Sequence, residues 1–508
     1  MQTNYERIPQ EKFEFVQRDE HIHDTKLETK ARGFFADAFL RFKKNKSSVV
    51  AAWIIGILVL FSLIAPIVSP YSIDDKDIIY VQRGPFIPYF AENGVGMFDG
   101  GSTLASQNAK QLERLRAIGV ETGRDPVIKV LGETEIEELH RGQMRKVKSY
   151  SLKVNKYYEI GVIYRVMSYE NFEKIMKWQD ENDIQVIYPY VEYKTEKDKQ
   201  SNVWFETDKS GNAVYDSEGN FIPKYSTNKD GEGVPYTSKR VEGDDGSYAY
   251  SENRQGGALE CRIDYYNYYT YLNGHEPYYL FGTTTMGTDM LTAIGVGARF
   301  SLVFAIIVSA INLTIGAIYG SIQGYYGGFI DLILDRITDV LSGVPFIVVA
   351  TLFQLHLAQK VGTVVSFLFA FVLTGWIGMA ALTRKQFYRF KSLEFVYAAR
   401  TLGASDRRLM FKHIFPNAMG TIITSCALVI PGVVSSETSL SYLGIINLSD
   451  FAGTTIGTLM QQGQTQMTAA PHTMLFPALF FSLLMISFNL FGNGLRDAFN
   501  PSTRGGED

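Results

Sequence analysis

The run Phe281-Gly-Thr-Thr-Thr-Met-Gly287-Thr-Asp289-Met290 has the glycine and threonine content of a phosphate cradle. A nucleotide loop also needs a Lys-Ser/Thr pair and a strand-turn-helix setting, and neither accompanies this run. The turns Asp208-Lys-Ser-Gly211, Asp216-Ser-Glu-Gly219 and Asn228-Lys-Asp-Gly231 could be taken for calcium loops. They lack the regular string of oxygen ligands, so tight turns in a β-meander are the stronger reading. The seven histidines are scattered, and there is no HExxH, no paired CxxC and no nucleophile elbow. No catalytic set, no metal site and no cofactor bound by this chain are therefore expected. A P-loop is absent too, so any ATP hydrolysis would have to come from another polypeptide.

Two groups of polar residues remain. The first lies inside apolar runs: Asn312, Glu437 and the hydroxyls of Thr421, Thr424, Ser425, Ser435, Ser436 and Thr438. Ionisable groups at membrane depth cost at least about 2.5 kcal/mol and usually face a bundle interior or a wet path. Asn312, Ser435, Ser436 and Glu437 are thus candidates for a translocation path. Glu437 lies near one end of its run, so an acid that simply reaches outer water fits as well as one gating a pore mouth. For the hydroxyls, helix–helix hydrogen bonding is the commoner role.

The second group is the basic stretch from Glu394 to Asn417, between two apolar runs. Ser392 is placed to cap a short helix with Glu394 in its first turn, where the helix dipole favours an acid. Phe395, Ala398, Ala399 and Leu402 follow i, i+3, i+4, i+7 spacing and are expected on one face. Gly403 then supplies a stop, Ser405 a cap for a second short helix, and Pro416 the return to an apolar run. Such an elbow suits docking into a groove on a partner. An ordinary solvated loop helix has the same spacing.

The elements that would position these groups follow from hydropathy and charge. Residues 71–280 hold 34 acids and 26 bases and 23 of the 30 tyrosines, whereas the remainder has 19 acids and 23 bases and most of the apolar runs. The expectation is an all-α polytopic membrane protein of six transmembrane helices with an inserted extracytoplasmic α+β domain between helices 1 and 2. Residues 1–47 read as a cytoplasmic tail and an amphipathic helix, with Phe34, Phe35, Ala38, Phe39 and Phe42 among basic residues. Helix 1 spans 48–69, and the inserted domain 70–280. The core, 281–500, holds helices 2–6 at about 302–319, 337–357, 361–382, 418–440 and 474–491, and 501–508 form a second tail. Gly343, Pro345 and Pro431 are expected to kink their helices.

The basic cluster 41–46 puts the N-terminus inside, and six crossings return the C-terminus to the same side. The loop 383–417 carries eight Arg/Lys against two acids, as a cytoplasmic loop should.

Within the inserted domain, strands are expected near 127–130, 151–154, 158–164 and 184–188, and a helix over 169–181 capped by Ser168. The tyrosine-dense 265–271 suits a membrane-interface belt or a protein-facing surface. Cys261 and Cys426 fall in such different settings that a disulfide between them is not expected. No basic stripe with interleaved aromatics points to nucleic acid.

Ala398-Ala399, Gly403 and Ile414-Phe415-Pro416-Asn417 resemble the "EAA" loop of importer-type ABC transporter permeases. The longer pattern, Glu394-x-Val396-x-Ala398-Ala399-Arg400-x-x-Gly403-Ala404 closing on His413-Ile-x-Pro416-Asn417, resembles the oligopeptide/dipeptide (OppC/DppC) branch. Tyr397 stands where the general motif has its Glu. Residues 281–302 are similar to that branch's "FGTDxxGRD…GARxSL", with Thr284 for its first Asp and Thr288 for its Arg. Gly492-Asn-Gly494-Leu-Arg496-Asp497-Ala498 is similar to its "GDGLRDxxDP" ending. The resemblance covers about 30–70 and 280–503 but not 75–275.

The resemblance implies a type I ABC importer permease core in a bacterial cell membrane, whose loop 394–417 is the coupling helix touching the ATPase. The coupling residues would be Glu394, Phe395, Ala398, Ala399, Arg400, Gly403, Ala404, His413, Pro416 and Asn417. Implied partners are a second, OppB-like permease subunit, two OppD/OppF-like ATP-binding subunits that use ATP and Mg, and an extracytoplasmic peptide-binding lipoprotein. Membrane lipid surrounds the chain, and no nucleic acid takes part. Peptides are the favoured cargo; nickel, opines or glycans are handled by the same branch. An ABC export or mechanotransmission protein also carries a large outer domain but has four spans. A sensory receptor would need an inside output module, and the inside segments here are short.

Overall fold

A computed structural model describes residues 34–499 apart from 95, 141–142, 192, 194–198, 227–247, 254–255 and 449–452. Residues 1–33 of the expected N-terminal segment, the expected tail 501–508 and the turn Asn228-Lys-Asp-Gly231 lie outside these residues.

Among the described residues, five helices are long and apolar enough to cross a membrane: Lys46–Val68, Met290–Tyr326, Thr363–Phe390, Asp406–Tyr442 and His472–Phe499. Among the same residues a sixth crossing is reached when Gly328–Ser342 and Phe346–His356, bent by 72° at their junction, are counted together. The single helix expected over 337–357 is therefore broken, and its first half begins earlier. Gly343 ends the first piece, and Pro345, which has no N–H to donate, is the N-cap of the second. The span expected at 302–319 is the middle of a 37-residue helix. Its start is fixed by Asp289, whose carboxylate accepts the Thr292 N–H at 2.9 Å, so the threonine- and glycine-rich run ends in an N-cap.

Small residues let the helices approach closely. A Cβ added to Gly316 would lie 2.7 Å from the Trp376 carbonyl, and one on Gly324 would lie 2.5 Å from the Phe387 Cβ. Between them, Gly320 faces the Ala380 carbonyl more closely still. The three glycines thus form one stripe of Met290–Tyr326 laid against Ile377–Phe390. The amphipathic helix Phe34–Lys44 buries Ala38 and Phe42, with the Phe42 and Phe491 rings 5.4 Å apart, while Phe39 stays exposed.

Between the first two membrane-length helices, residues 71–289 carry the strands and a mostly polar sequence, and the two ends of this stretch are strapped together. Phe86 and Tyr279 exchange backbone hydrogen bonds of 2.8 and 2.9 Å, Gln82 N–H donates to Thr284 O at 3.0 Å, and Asp77 N–H to Gly287 O at 3.1 Å. Strands β1 (Gly101–Asn108), β2 (Val127–His140) and β3 (Gln143–Asn155) form an antiparallel sheet in the order β1–β3–β2. The second sheet pairs β4 (Val162–Ser168), β5 (Ile187–Tyr188) and β6 (Glu252–Asn253) with β7 (Ala258–Asp264).

Several local expectations shift. The short strands at 127–130 and 151–154 are parts of the long β2–β3 ribbon. The strand at 158–164 divides into a tight turn, Tyr158–Ile160, and β4, because Gly161 takes φ +58. That at 184–188 shrinks to β5. The helix Tyr169–Asn182 starts on Ser168, whose hydroxyl accepts the Asn171 N–H at 3.3 Å, and it buries Phe172, Ile175, Met176 and Gln179. In the turns at 208–212 and 216–220, Asp208 accepts the N–H groups of Ser210 and Asn212, and Asp216 those of Glu218 and Asn220. Those carboxylates serve the turn itself.

The tyrosine-rich segment expected at an interface forms a core instead. Helix Tyr265–Asn273 buries Tyr265, Tyr266, Tyr268 and Tyr269 against Tyr80, Phe86, Tyr157 and Tyr279. The hydroxyls find partners inside: Tyr265 donates to both Asp77 carboxylate oxygens at 2.8 Å, and Tyr269 meets Tyr279 at 3.0 Å. Beside this core, fully buried Arg262 forks onto Glu121 at 2.8 and 2.9 Å and donates to the carbonyls of Pro189 and Ser201 at 2.8 Å each. Burial pushes the Glu121 carboxyl above the usual range, and the Arg262 charge opposes that push.

Candidate functional site

The elbow begins with the helix Glu394–Thr401, whose N-cap is Leu393 rather than Ser392 and carries no side-chain cap bond. The helix starts one residue too late for the Ser392 hydroxyl to reach its free N–H groups. Its end is a glycine-closed reversal. Gly403 sits at φ +82, its N–H donates to Arg400 O at 3.0 Å, and Ala404 N–H reaches back to Ala399 O at 3.1 Å. Ser405 holds the N-cap position of Asp406–Arg408 but gives no side-chain cap bond. The second short helix does not end. It passes through a wider π-turn, Leu409–Ile414, directly into Phe415–Tyr442, with Pro416 in that helix's first turn.

The expected apolar face is divided. Val396 is buried and Ala399 packs beside it, against Tyr325, Phe387, Leu409, Met410 and Ile414. Phe395, Ala398 and Leu402 point away, Leu402 being 88% exposed and Phe395 39%. One side of the elbow is therefore glued to the bundle, and the other presents an apolar knob.

Four groups of hydrogen bonds tie the elbow and its approach to the ends of the membrane helices. Tyr325 donates to Asp406 at 2.5 Å and accepts from Arg400 at 3.2 Å. Lys391 donates to the Gly324 carbonyl at 2.9 Å, and burial pulls its ammonium below the usual lysine range. Arg384 forks onto Asp331 and Asp335 at 2.6 Å each, and the Tyr388 hydroxyl reaches Asp331 at 2.6 Å. The Asn417 amide donates to His413 O at 2.7 Å, bracing the π-turn to the next helix. Tyr325, Asp406, Lys391 and Arg384 were not singled out in the sequence. A signal was present, because Tyr325 directly follows the Gly316, Gly320, Gly324 series at four-residue spacing.

The polar residues at membrane depth lie away from the elbow, and Asn312 and Glu437 make separate sets of contacts. Asn312 is buried where Met290–Tyr326 crosses Thr363–Gly375, facing Gly375, and its amide donates to Phe371 O at 3.4 Å. Glu437 is fully buried and accepts Ser301 at 2.8 Å, Ser441 at 3.1 Å and Thr438 at 3.4 Å. It does not reach outer water: the hydroxyls of two helices enclose it. Ser435 and Ser436 are half-buried one and two residues before it.

Residues 313–505 match the family described as the binding-protein-dependent transport system inner membrane component, and residues 33–88 match the N-terminal TM domain of oligopeptide transport permease C. The chain is 39% identical over 224 residues to the oligopeptide transport system permease protein OppC of Bacillus subtilis (strain 168), covering 44% of this chain and 72% of that protein. It is 38% identical over 225 residues to the dipeptide transport system permease protein DppC of the same organism, covering 44% of this chain and 69% of that one. A solved structure of the MetNI methionine ABC transporter in inward-facing conformations aligns with 41% of this chain and 97% of its own, at 14% identity and a TM-score of 0.34.

Proposed function

Because the chain belongs to the oligopeptide/dipeptide branch of the binding-protein-dependent ABC transporter permeases, we propose that it forms one half of a peptide import path driven by ATPase subunits through the 394–417 elbow. Permeases of this family are multi-pass inner membrane proteins and are not enzymes; ATP hydrolysis resides on separate subunits. One observation carries the coupling reading. The exposed Leu402 and Phe395 are joined rigidly, through Gly403, Tyr325 and Asp406, to the ends of two membrane helices. A push on that knob moves Met290–Tyr326 and Phe415–Tyr442 together.

In this reading the N-terminus, the elbow and the C-terminus are cytoplasmic, and the bent pair Gly328–His356 completes six crossings. The 71–289 domain is extracytoplasmic, where it helps to position a peptide-binding lipoprotein. A second permease subunit supplies the other half of the path, with Ser435 and Ser436 near it. Glu437 and Asn312 brace the helices that move. The test is purification from native membrane. ATPase subunits and a lipoprotein should co-elute, and peptide-loaded lipoprotein should raise ATPase activity. A chain that purifies without ATPase subunits, or ATPase activity indifferent to peptide, overturns the reading.

A further inference from the structure

An open cleft of about 480 Å3 lies on the return limb of the elbow, lined by Ser405, Arg407, Arg408, Phe411, Lys412 and Pro416. Arg408, Lys412 and Pro416 recur every fourth residue, with Arg407 and Phe411 beside them at the same spacing, so the cleft follows one side of the limb. All six residues are exposed. Among the described residues, the side-chain cations of Arg407, Arg408 and Lys412 have no ion-pair or hydrogen-bond partner. Neither acid of 383–417 pairs with them: Glu394 belongs to the elbow's first helix, and Asp406 accepts the Tyr325 hydroxyl at 2.5 Å. The Ser405 hydroxyl makes no cap bond and is a further donor at the rim. The limb continues as a membrane-length helix, Asp406–Tyr442. Lys412 stands six residues before Ala418, where the apolar run begins, about 9 Å along the axis. The headgroup layer outside the hydrocarbon is about 5–8 Å deep, and lysine and arginine side chains are long enough to reach its phosphates.

We propose that this cleft seats the headgroup phosphate of an anionic phospholipid, with Arg407, Arg408 and Lys412 as its cations and Ser405 as a hydroxyl donor. Phe411 and Pro416 then lie against the glycerol and the first acyl carbons. A guanidinium fork matches two oxygens of a phosphate. Each unpaired cation at a membrane surface gains about fivefold in affinity from net negative lipid. A zwitterionic lipid brings its own ammonium and cancels that gain, whereas free phosphate leaves Phe411 and Pro416 uncovered. The elbow's exposed knob, Leu402 and Phe395, lies on the other limb, so a lipid in the cleft holds the return limb at the membrane surface and leaves the knob free. The site goes beyond the import reading: lipid capture is read on the chain alone, so either can fail while the other stands.

The experiment is native mass spectrometry of the full chain released from zwitterionic detergent micelles, titrated with dioctanoyl phosphatidylglycerol, dioctanoyl phosphatidylcholine or inorganic phosphate. The first phosphatidylglycerol should be retained saturably, at least about tenfold more tightly than phosphatidylcholine. Inorganic phosphate should compete only weakly. Arg407→Gln/Arg408→Gln/Lys412→Gln should bring phosphatidylglycerol down to the phosphatidylcholine level at unchanged Tm, since all three residues are exposed. Arg407→Lys/Arg408→Lys keeps the charge and should retain most of the preference. Equal retention of the two lipids, phosphate that displaces phosphatidylglycerol at equal concentration, or full retention by the triple Gln variant would each overturn the proposal. So would a triple variant that keeps its lipid but no longer co-purifies with ATPase subunits, because the cleft would then be a protein seat. The comparison of lipids needs no variant, so it stands even if a substitution disturbs folding.

Discussion

The Tyr325 hydroxyl, at the last turn of one membrane helix, donates to Asp406, which opens the helix running through the elbow into another. It also accepts from Arg400 on the elbow's first helix, so three elements meet on one oxygen. Tyr325→Phe removes both hydrogen bonds and keeps the ring packed among Val396, Leu409 and Met410. The loss should be about 1 kcal/mol for each bond, too little to unfold the bundle. ATP hydrolysis by the assembled transporter should then respond less to peptide while chain abundance is unchanged. A variant that transports normally would show that the knob moves the bundle by another route.

Gly403 offers a backbone test of the same elbow. Its φ of +82 is closed to β-branched residues, and no neighbouring atom lies within 4 Å of where a Cβ would stand. Gly403→Val should therefore act through backbone strain of about 1–3 kcal/mol alone, abolishing uptake without blocking membrane insertion. Gly403→Asn, which tolerates left-handed geometry, should retain most uptake. Uptake assays on the two variants at matched expression decide it.

Inside the bundle, Gly320 has no room for a methyl group against the Ala380 carbonyl, whereas Gly378 has nothing within 4 Å. Gly320→Ala should lower the thermal midpoint of the detergent-purified chain by forcing two helices apart, at a cost of about 1–3 kcal/mol. Gly378→Ala should leave it unchanged. Equal midpoints for the two variants would refute close packing along the glycine stripe.

In the polar domain, Glu121→Ala leaves the Arg262 guanidinium buried without its acid. Breaking such a pair costs about 3–5 kcal/mol, so limited proteolysis should cut that domain while the membrane helices stay protected. Glu121→Gln keeps an acceptor and should fall between the two. Resistance equal to wild type in Glu121→Ala would mean that Arg262 finds other partners.

What was legible in the sequence was local. Gly403 as a stop and Ser168 as a cap follow from backbone rules within a few residues. The resemblance to one permease branch rests on short motifs of the same kind. What was not legible depended on distance along the chain. The place of Glu437 near one end of its apolar run fits an acid reaching water, and its burial depends on Ser301, 136 residues away. The tyrosines of 265–271 looked like a surface because their partners Asp77 and Tyr80 come from the far end of the domain. Spacing puts Ala399 on one helical face with Phe395 and Leu402, but it does not say which side of that face the bundle covers.

The strap between 77–86 and 279–287 makes the polar domain's departure point and its return point neighbours. The membrane helices on either side therefore see the same short span whether the chain between them is long or brief. The chain from 87 to 278 can thus change in length without altering the spacing of the two helices it joins.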